Sequence, residues 1–220
     1  PGEQFMALDT ICQIASMTKA VTSLAAMQLV EQGKLALDAP IGQLLPDLAA
    51  PQVLVGFDED GKPQLRPAKK ALTLRHLLTH TAGFGYNFTE HELMRYQRAT
   101  GVPAPGSKEA VRLPLLFEPG EQWAYGVSTD WVGFAVEAAS GLDLRNYCQH
   151  MIFEPLGMSQ TDYRRELPET AAKVHVRDEQ GRFATRSIIM AGTEYYNGGG
   201  GLSSSAQDFA RFLQMILRGG

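Results

Sequence analysis

Two hundred and twenty residues, 44% hydrophobic and 20% charged with 22 glycines and 12 prolines, supply enough apolar chain for a folded core and exclude a disordered, collagenous or linker composition. A net charge of −4 with no Lys/Arg cluster excludes nucleic acid as the partner, because neutralising phosphates needs clustered cations. Cys12 and Cys148 are too few for a disulfide framework or a four-thiolate zinc site; both are read as free thiols, and the redox compartment stays open.

From Ser16 to Gln32 the chain has few breakers and carries Ala, Val, Leu and Met on nearly all sides before Gly33, which suits a left-handed helix end; this predicts a buried central helix. The segment from Leu35 to Gln64 is rich in Pro, Gly and Asp, with a turn signal at Asp60-Gly61, and reads as loop with one short strand pair at most. Thr73 is placed to cap a short helix through His80. Gly83 and Gly85 break that pattern, Glu90 to Thr100 reads as helix, and 101–106 reads as loop. After a turn at Pro119-Gly120, Ser128 or Thr129 is expected to cap an apolar helix that carries Trp131, Val132, Phe134, Ala135 and Val136 and ends at Gly141. Asp143 to Ile152 predicts a further helix stopped by Pro155, and Lys173–Val176 with Arg182–Ala184 predicts a hairpin around Glu179-Gln180-Gly181. Ser205 and Asp208 form a capping box for a last helix whose Phe209, Phe212, Leu213 and Ile216 share one face. No apolar run reaches the roughly 18 residues that span a bilayer. The chain opens at Pro1 and stops at Gly219-Gly220 directly after a helical pattern, so both ends are expected to be cuts in a longer protein, from which a signal peptide could already have been lost.

Ser16-Met17-Thr18-Lys19 sets a hydroxyl and an amine three residues apart at a helix start, on one face and within reach of each other. A lysine in water keeps its proton at neutral pH; burial against an apolar helix disfavours the cation and would let it accept a proton from serine. The helix N-terminus adds free amides that favour an oxyanion. Such a Ser-x-x-Lys spacing arises by chance in roughly one chain in three of this composition, so other segments must support it.

Those segments are Leu74 to Phe84 (LRHLLTHTAGF), Phe117 to Asp130 (FEPGEQWAYGVSTD) and Gly199 to Asp208 (GGLSSSAQD after Gly199), in addition to Ile14 to Lys19 (IASMTK). In this order they resemble the serine β-lactamase superfamily, and most closely its family VIII carboxylesterases. The resemblance implies an α/β fold like that of the serine β-lactamases and penicillin-binding proteins, this segment being mostly helical with much of the antiparallel sheet missing. It also implies that residues 1–220 are part of one catalytic domain, with a helical region at roughly 35–170 inserted between core elements. The implied activity is hydrolysis of carboxylic esters with short acyl chains: Ser16 attacks the carbonyl, Lys19 and Tyr125 remove its proton and later deliver one to the leaving alcohol, and water cleaves the acyl-enzyme. A small-molecule ester is then the partner, with no cofactor and no metal. The alternatives are a class C β-lactamase or D-Ala-D-Ala carboxypeptidase, and a non-hydrolytic acyl-binding sensor.

Two departures shape this reading. The lactamases and peptidases carry Tyr-x-Asn, whereas here Tyr125-Gly126-Val127 ends in a side chain that cannot hydrogen-bond an acylamino group, which favours esters over lactams. Nothing matches the superfamily's downstream Lys-Thr-Gly motif, so the resemblance implies that Ser16 N–H is the single oxyanion donor in this segment. Other signals point nowhere. His76 and His80 have zinc-pair spacing without the glutamate of His-Glu-x-x-His, His91-Glu92 ends in Arg95, and Gly198–Gly201 lacks a following Gly-Lys-Ser/Thr. Gly126 to Asp130 misses Gly-x-Ser-x-Gly at its last position. Trp123, Phe84 and Tyr86 are read as packing aromatics and left out of the site.

Overall fold

Two apolar helices, α1 (Thr18–Glu31) and α4 (Ser128–Ser140), meet at the centre of the molecule. Small side chains let them approach: Val21, Ala25, Ala26 and Leu29 of α1 and Val132, Ala135 and Val136 of α4 are all fully buried. The computed structural model describes residues 5–103, 106–186 and 194–220; Pro1, and Ala104 and Pro105 of the expected 101–106 loop, lie outside the described residues.

The chain is a mixed α/β structure in which helices dominate and the described strands form three two-stranded antiparallel sheets. β1 (Cys12–Gln13) pairs with β6 (Ser203–Ser204), β2 (Gln52–Phe57) with β3 (Pro63–Pro67), and β4 (Val174–Arg177) with β5 (Phe183–Arg186). The strand pair expected before Gln64 is the β2–β3 hairpin, extended to Pro67, and the β4–β5 hairpin lies where the turn residues placed it. Around them are α2 (Leu74–Leu78), α3 (His91–Thr100), α5 (Leu144–Cys148), α6 (Glu154–Leu156) and α7 (Ala206–Leu217). Thr73 caps α2 by accepting the His76 N–H at 3.2 Å, and Gly101 and Gly141 close α3 and α4 in the left-handed conformation.

Four local expectations change. The first helix begins at Thr18, preceded by a 3₁₀ turn over Ala15–Met17 that carries Ser16. Neither Ser128 nor Thr129 caps α4: both lie inside it, and Val127 occupies the cap position. Pro155 does not stop the helix begun at Leu144, because a π-helical turn over Gln149–Phe153 carries the chain through to Leu156. A proline has no N–H for the carbonyl four residues back, here that of Met151, and Gln28 Nε2 donates to that oxygen instead at 3.2 Å. In α7 the cap is one-sided. Ser205 Oγ accepts the Asp208 N–H at 3.2 Å, but the buried Asp208 carboxylate turns to Gln160 N–H at 2.6 Å and Thr161 Oγ1 at 3.1 Å.

Of the apolar face predicted for α7, Phe212 is fully buried and Phe209 half-buried, whereas Leu213 and Ile216 are exposed. Phe212 therefore anchors α7 to the core that also holds Val21, Leu144 and Phe153. Phe212→Ala is expected to destabilise the fold by about 3–5 kcal/mol through lost burial and the cavity left behind, measurable as a lower urea midpoint.

Candidate active site

Ser16 is held by the joint between the two ends of the described chain. Register Cys12↔Ser204 and Gln13↔Ser203 brings β1 beside β6, and Ile14 N–H continues the pairing to Leu202 O at 3.1 Å. Leu202 N–H donates back to Thr18 Oγ1 at 3.1 Å, and Thr22 Oγ1 donates to Gly198 O at 2.9 Å, so the 198–204 segment is fastened along the first turns of α1. Ala15, immediately before the hydroxyl, has φ +44, a conformation that costs a residue with a Cβ some strain and that recurs at functional sites. Ser16 is exposed and Lys19 half-buried.

Lys19 Nζ donates to three acceptors: Ser16 Oγ at 3.3 Å, Tyr86 OH at 3.2 Å and the Gly199 carbonyl at 2.7 Å. That is the full donor capacity of an ammonium. The same nitrogen lies 4.7 Å from the Tyr125 ring centroid. Burial pushes the Tyr125 phenol up, but the neighbouring Lys19 and Ser16 and the Lys19 charge outweigh it, and the phenol is held below its ordinary value of 10.0. Ser16, Lys19 and Tyr125, singled out from motif and resemblance, are thus brought together.

Tyr125 arrives on the loop between the Pro119-Gly120 turn and α4. Ala124 N–H donates to His80 O at 3.0 Å, and Gly126 presses so closely on the preceding loop that a Cβ there would lie 2.4 Å from Phe84 O. The His80 ring packs at 4.9 Å from the Tyr125 ring. Burial, and then the Lys19 charge, lower the His80 pKa, which favours the neutral imidazole. Gly120 sits over His76, where a Cβ would lie 3.1 Å from Nε2. Both histidines serve as packing surfaces for the loop that carries Tyr125. Among the described residues, no group of three His, Cys, Asp or Glu is placed to hold a metal ion.

A cavity of about 220 Å³ opens beside Ser16, lined by Tyr86 and Tyr125 and walled by Phe88, Val111, Leu113 and Val127. Tyr86 corrects the sequence reading: it belongs to the site, accepting from Lys19, and burial, then Asp130 and Tyr125, push its phenol well above the ordinary value. Phe84 is a core residue stacked on Trp131, whereas Trp123 is 65% exposed, stacked on Tyr125 at 6.3 Å and outside the cavity lining. Sequence reasoning also passed over Asp130, noted only as part of a motif. It is buried at the first turn of α4, and its Oδ1 accepts the Gly199 N–H at 3.3 Å. Desolvation pushes its carboxyl up to about 6 against the opposing effect of Gly199 N–H and the Lys19 charge.

A family model described as Beta-lactamase matches residues 2–220. Monacolin J acid methylbutanoyltransferase of Aspergillus terreus is 36% identical over 222 residues, covering 96% of this chain and 54% of that protein. Lovastatin esterase of Penicillium rubens is 33% identical over 225 residues, covering 96% of this chain and 56% of that protein. Among solved structures, unliganded simvastatin synthase from Aspergillus terreus superposes with a TM-score of 0.85 at 34% identity, over 97% of this chain and 54% of that one. The octameric penicillin-binding protein homologue from Pyrococcus abyssi superposes with a TM-score of 0.73 at 28% identity, over 98% and 47%. The chain spans about half the length of the curated relatives it matches.

Proposed function

We propose, for a chain that belongs to the beta-lactamase family and has its fold, that Ser16 is the nucleophile of acyl transfer from carboxylic esters, with Lys19 and Tyr125 as its proton-transfer partners. The observation that carries this reading is the Lys19 Nζ bond to Ser16 Oγ at 3.3 Å beside a phenol that the same two groups hold below its ordinary pKa. With the Lys19 ammonium bonded to three oxygens, the readier base is the Tyr125 oxygen. It takes the Ser16 proton as Oγ attacks the carbonyl carbon, and Lys19 stabilises the phenolate that starts the cycle. Ser16 N–H, at the start of the helical segment, is one donor to the tetrahedral oxyanion. The tyrosine proton then passes to the departing alcohol, leaving acyl-Ser16.

Val127 in the cavity wall offers an acyl chain only apolar contact, which supports esters with hydrocarbon acyl groups over acylamino lactams. The relatives' names support two fates for the acyl-enzyme: water accepts the acyl group in an esterase, and a second alcohol accepts it in an acyltransferase. Ester hydrolysis is the primary reading and alcohol acylation the second, since both share the first covalent half. Full-length protein mixed with p-nitrophenyl butyrate is expected to release a burst of p-nitrophenol stoichiometric with an acyl adduct on Ser16 in the intact mass spectrum. A chromogenic cephalosporin turned over faster than the ester would sink the ester assignment. A stable adduct without turnover would instead favour an acyl-binding sensor.

A further inference from the structure

The proton-transfer reading leaves one charged side chain unexplained. Asp130 is buried in α4 and, among the described residues, has no ion-pair partner within 4.0 Å, an arrangement that costs stability unless it serves another group. What it holds is a peptide. The Gly199 N–H points at Asp130 Oδ1 at 3.3 Å, and the carbonyl of the same residue receives the Lys19 ammonium at 2.7 Å. There is no slack around this residue, because a Cβ on Gly199 would lie 2.9 Å from Asp130 Oδ2 and one on Gly198 would lie 2.7 Å from Thr129 O. Thr22 Oγ1 fixes Gly198 O from the side of α1. The 198–199 backbone is therefore clamped between α1 and α4, with a cation at one end and a carboxylate at the other.

The geometry points to Asp130 as a positioning residue that fixes the Lys19 ammonium through the Gly199 peptide. The proposal rests on the Ser16–Lys19–Tyr125 reading and adds to it. A carboxylate accepting the N–H polarises the peptide and makes its carbonyl a stronger acceptor, as hydrogen bonds in series do. The Lys19 nitrogen is thereby directed along a fixed line, with its remaining protons aimed at Ser16 Oγ and Tyr86 OH. The other titratable groups that sense Asp130 are Tyr86, Tyr163 and Tyr195, and each is a phenol pushed up by burial. Lys19 is the cation acting on Asp130, and it lies across the Gly199 peptide.

Asp130→Asn and Asp130→Ala in the full-length protein separate the contributions, with kcat and KM for p-nitrophenyl butyrate followed against pH. Asparagine retains an oxygen for the Gly199 N–H. Its kcat near pH 8 is expected to fall by less than about tenfold with KM within about twofold, and the part of the acid limb centred near pH 6 is expected to vanish because no carboxylate is left to protonate. Alanine removes the acceptor, frees the peptide and is expected to lower kcat on the order of 10²-fold with KM within about threefold. Asparagine also removes a buried charge at constant shape, so that variant should melt no lower than the parent, and it tests the proposal even if alanine does not fold. An unchanged pH profile in Asp130→Asn, or equal losses in both variants with KM rising in step, would overturn the role of Asp130. Ser16→Ala run alongside keeps the two readings apart: full turnover there removes the nucleophile, whereas a dead Ser16→Ala with an unaltered Asp130→Asn removes only the positioning residue.

Discussion

Ser16→Ala is expected to lower kcat for p-nitrophenyl butyrate by about 10⁴-fold or more, to abolish the acyl adduct, and to leave the thermal midpoint within about 2 °C of the parent. The loss of activity and the retained stability have different physical sources. Ser16 is exposed at the rim of the cavity and its Oγ accepts a bond from Lys19, so the core built from Val21, Ala25 and Leu29 does not feel its loss. In the proposed mechanism chemistry feels it entirely, because the attacking oxygen is gone. Groups that act as a unit lose their effect together: once Ser16 is alanine, adding Lys19→Ala is expected to reduce kcat by no more than about another threefold. A double variant slower than Ser16→Ala by the full single-variant cost of Lys19 would show Lys19 acting on some other step.

The contrast between Lys19 and the residues around it shows what was legible in the sequence. Ser16 and Lys19 are three residues apart, a separation that helical geometry alone makes adjacent, and the structure brings them to 3.3 Å. The other two acceptors of the same ammonium come from 67 and 180 positions away, and Asp130 reaches Gly199 across 69 positions. No local periodicity encodes such contacts; Tyr125 was found only because the residues flanking it resembled a known motif. Tyr86 gives the same lesson in reverse, since one aromatic residue after two glycines reads equally well as packing or as site. In the fold, α3, α4 and the β4–β5 hairpin were legible because their helical or strand runs are bounded by glycines and turn residues: Gly101, Gly141 and Glu179-Gln180-Gly181. β1 and β6 were not, because two-residue strands are too short to show alternation, although their pairing places Ser16 beside Gly199. Pro155 misled for a reason the sequence does contain, but at a distance: the carbonyl it leaves bare is claimed by Gln28, 123 positions earlier than Met151.

Tyr125→Phe is expected to lower kcat by about 10³-fold while changing KM by no more than about threefold, because the ring that lines the cavity remains and only the proton carrier is lost. The pH profile carries the sharper test. Opposing influences act on the Tyr125 phenol: burial raises its pKa, and the neighbouring Lys19 and Ser16 together with the Lys19 charge lower it to a net value below 10.0. In the proposed mechanism the active form is the phenolate, which accumulates as pH rises through that value, so the parent is expected to gain rate along an acid limb that ends below the ordinary phenol range. Lys19→Met removes both contributions of Lys19 and keeps the burial and the smaller lowering effect of Ser16. The same limb is then expected to move alkaline, with the rate near pH 7 falling far more than the rate near pH 10. Were lysine itself the base, Lys19→Met would erase the limb instead of displacing it, and Tyr125→Phe would retain it. Recording both variants from about pH 5 to 10 therefore separates a phenolate partnered by an ammonium from a neutral amine partnered by a phenol.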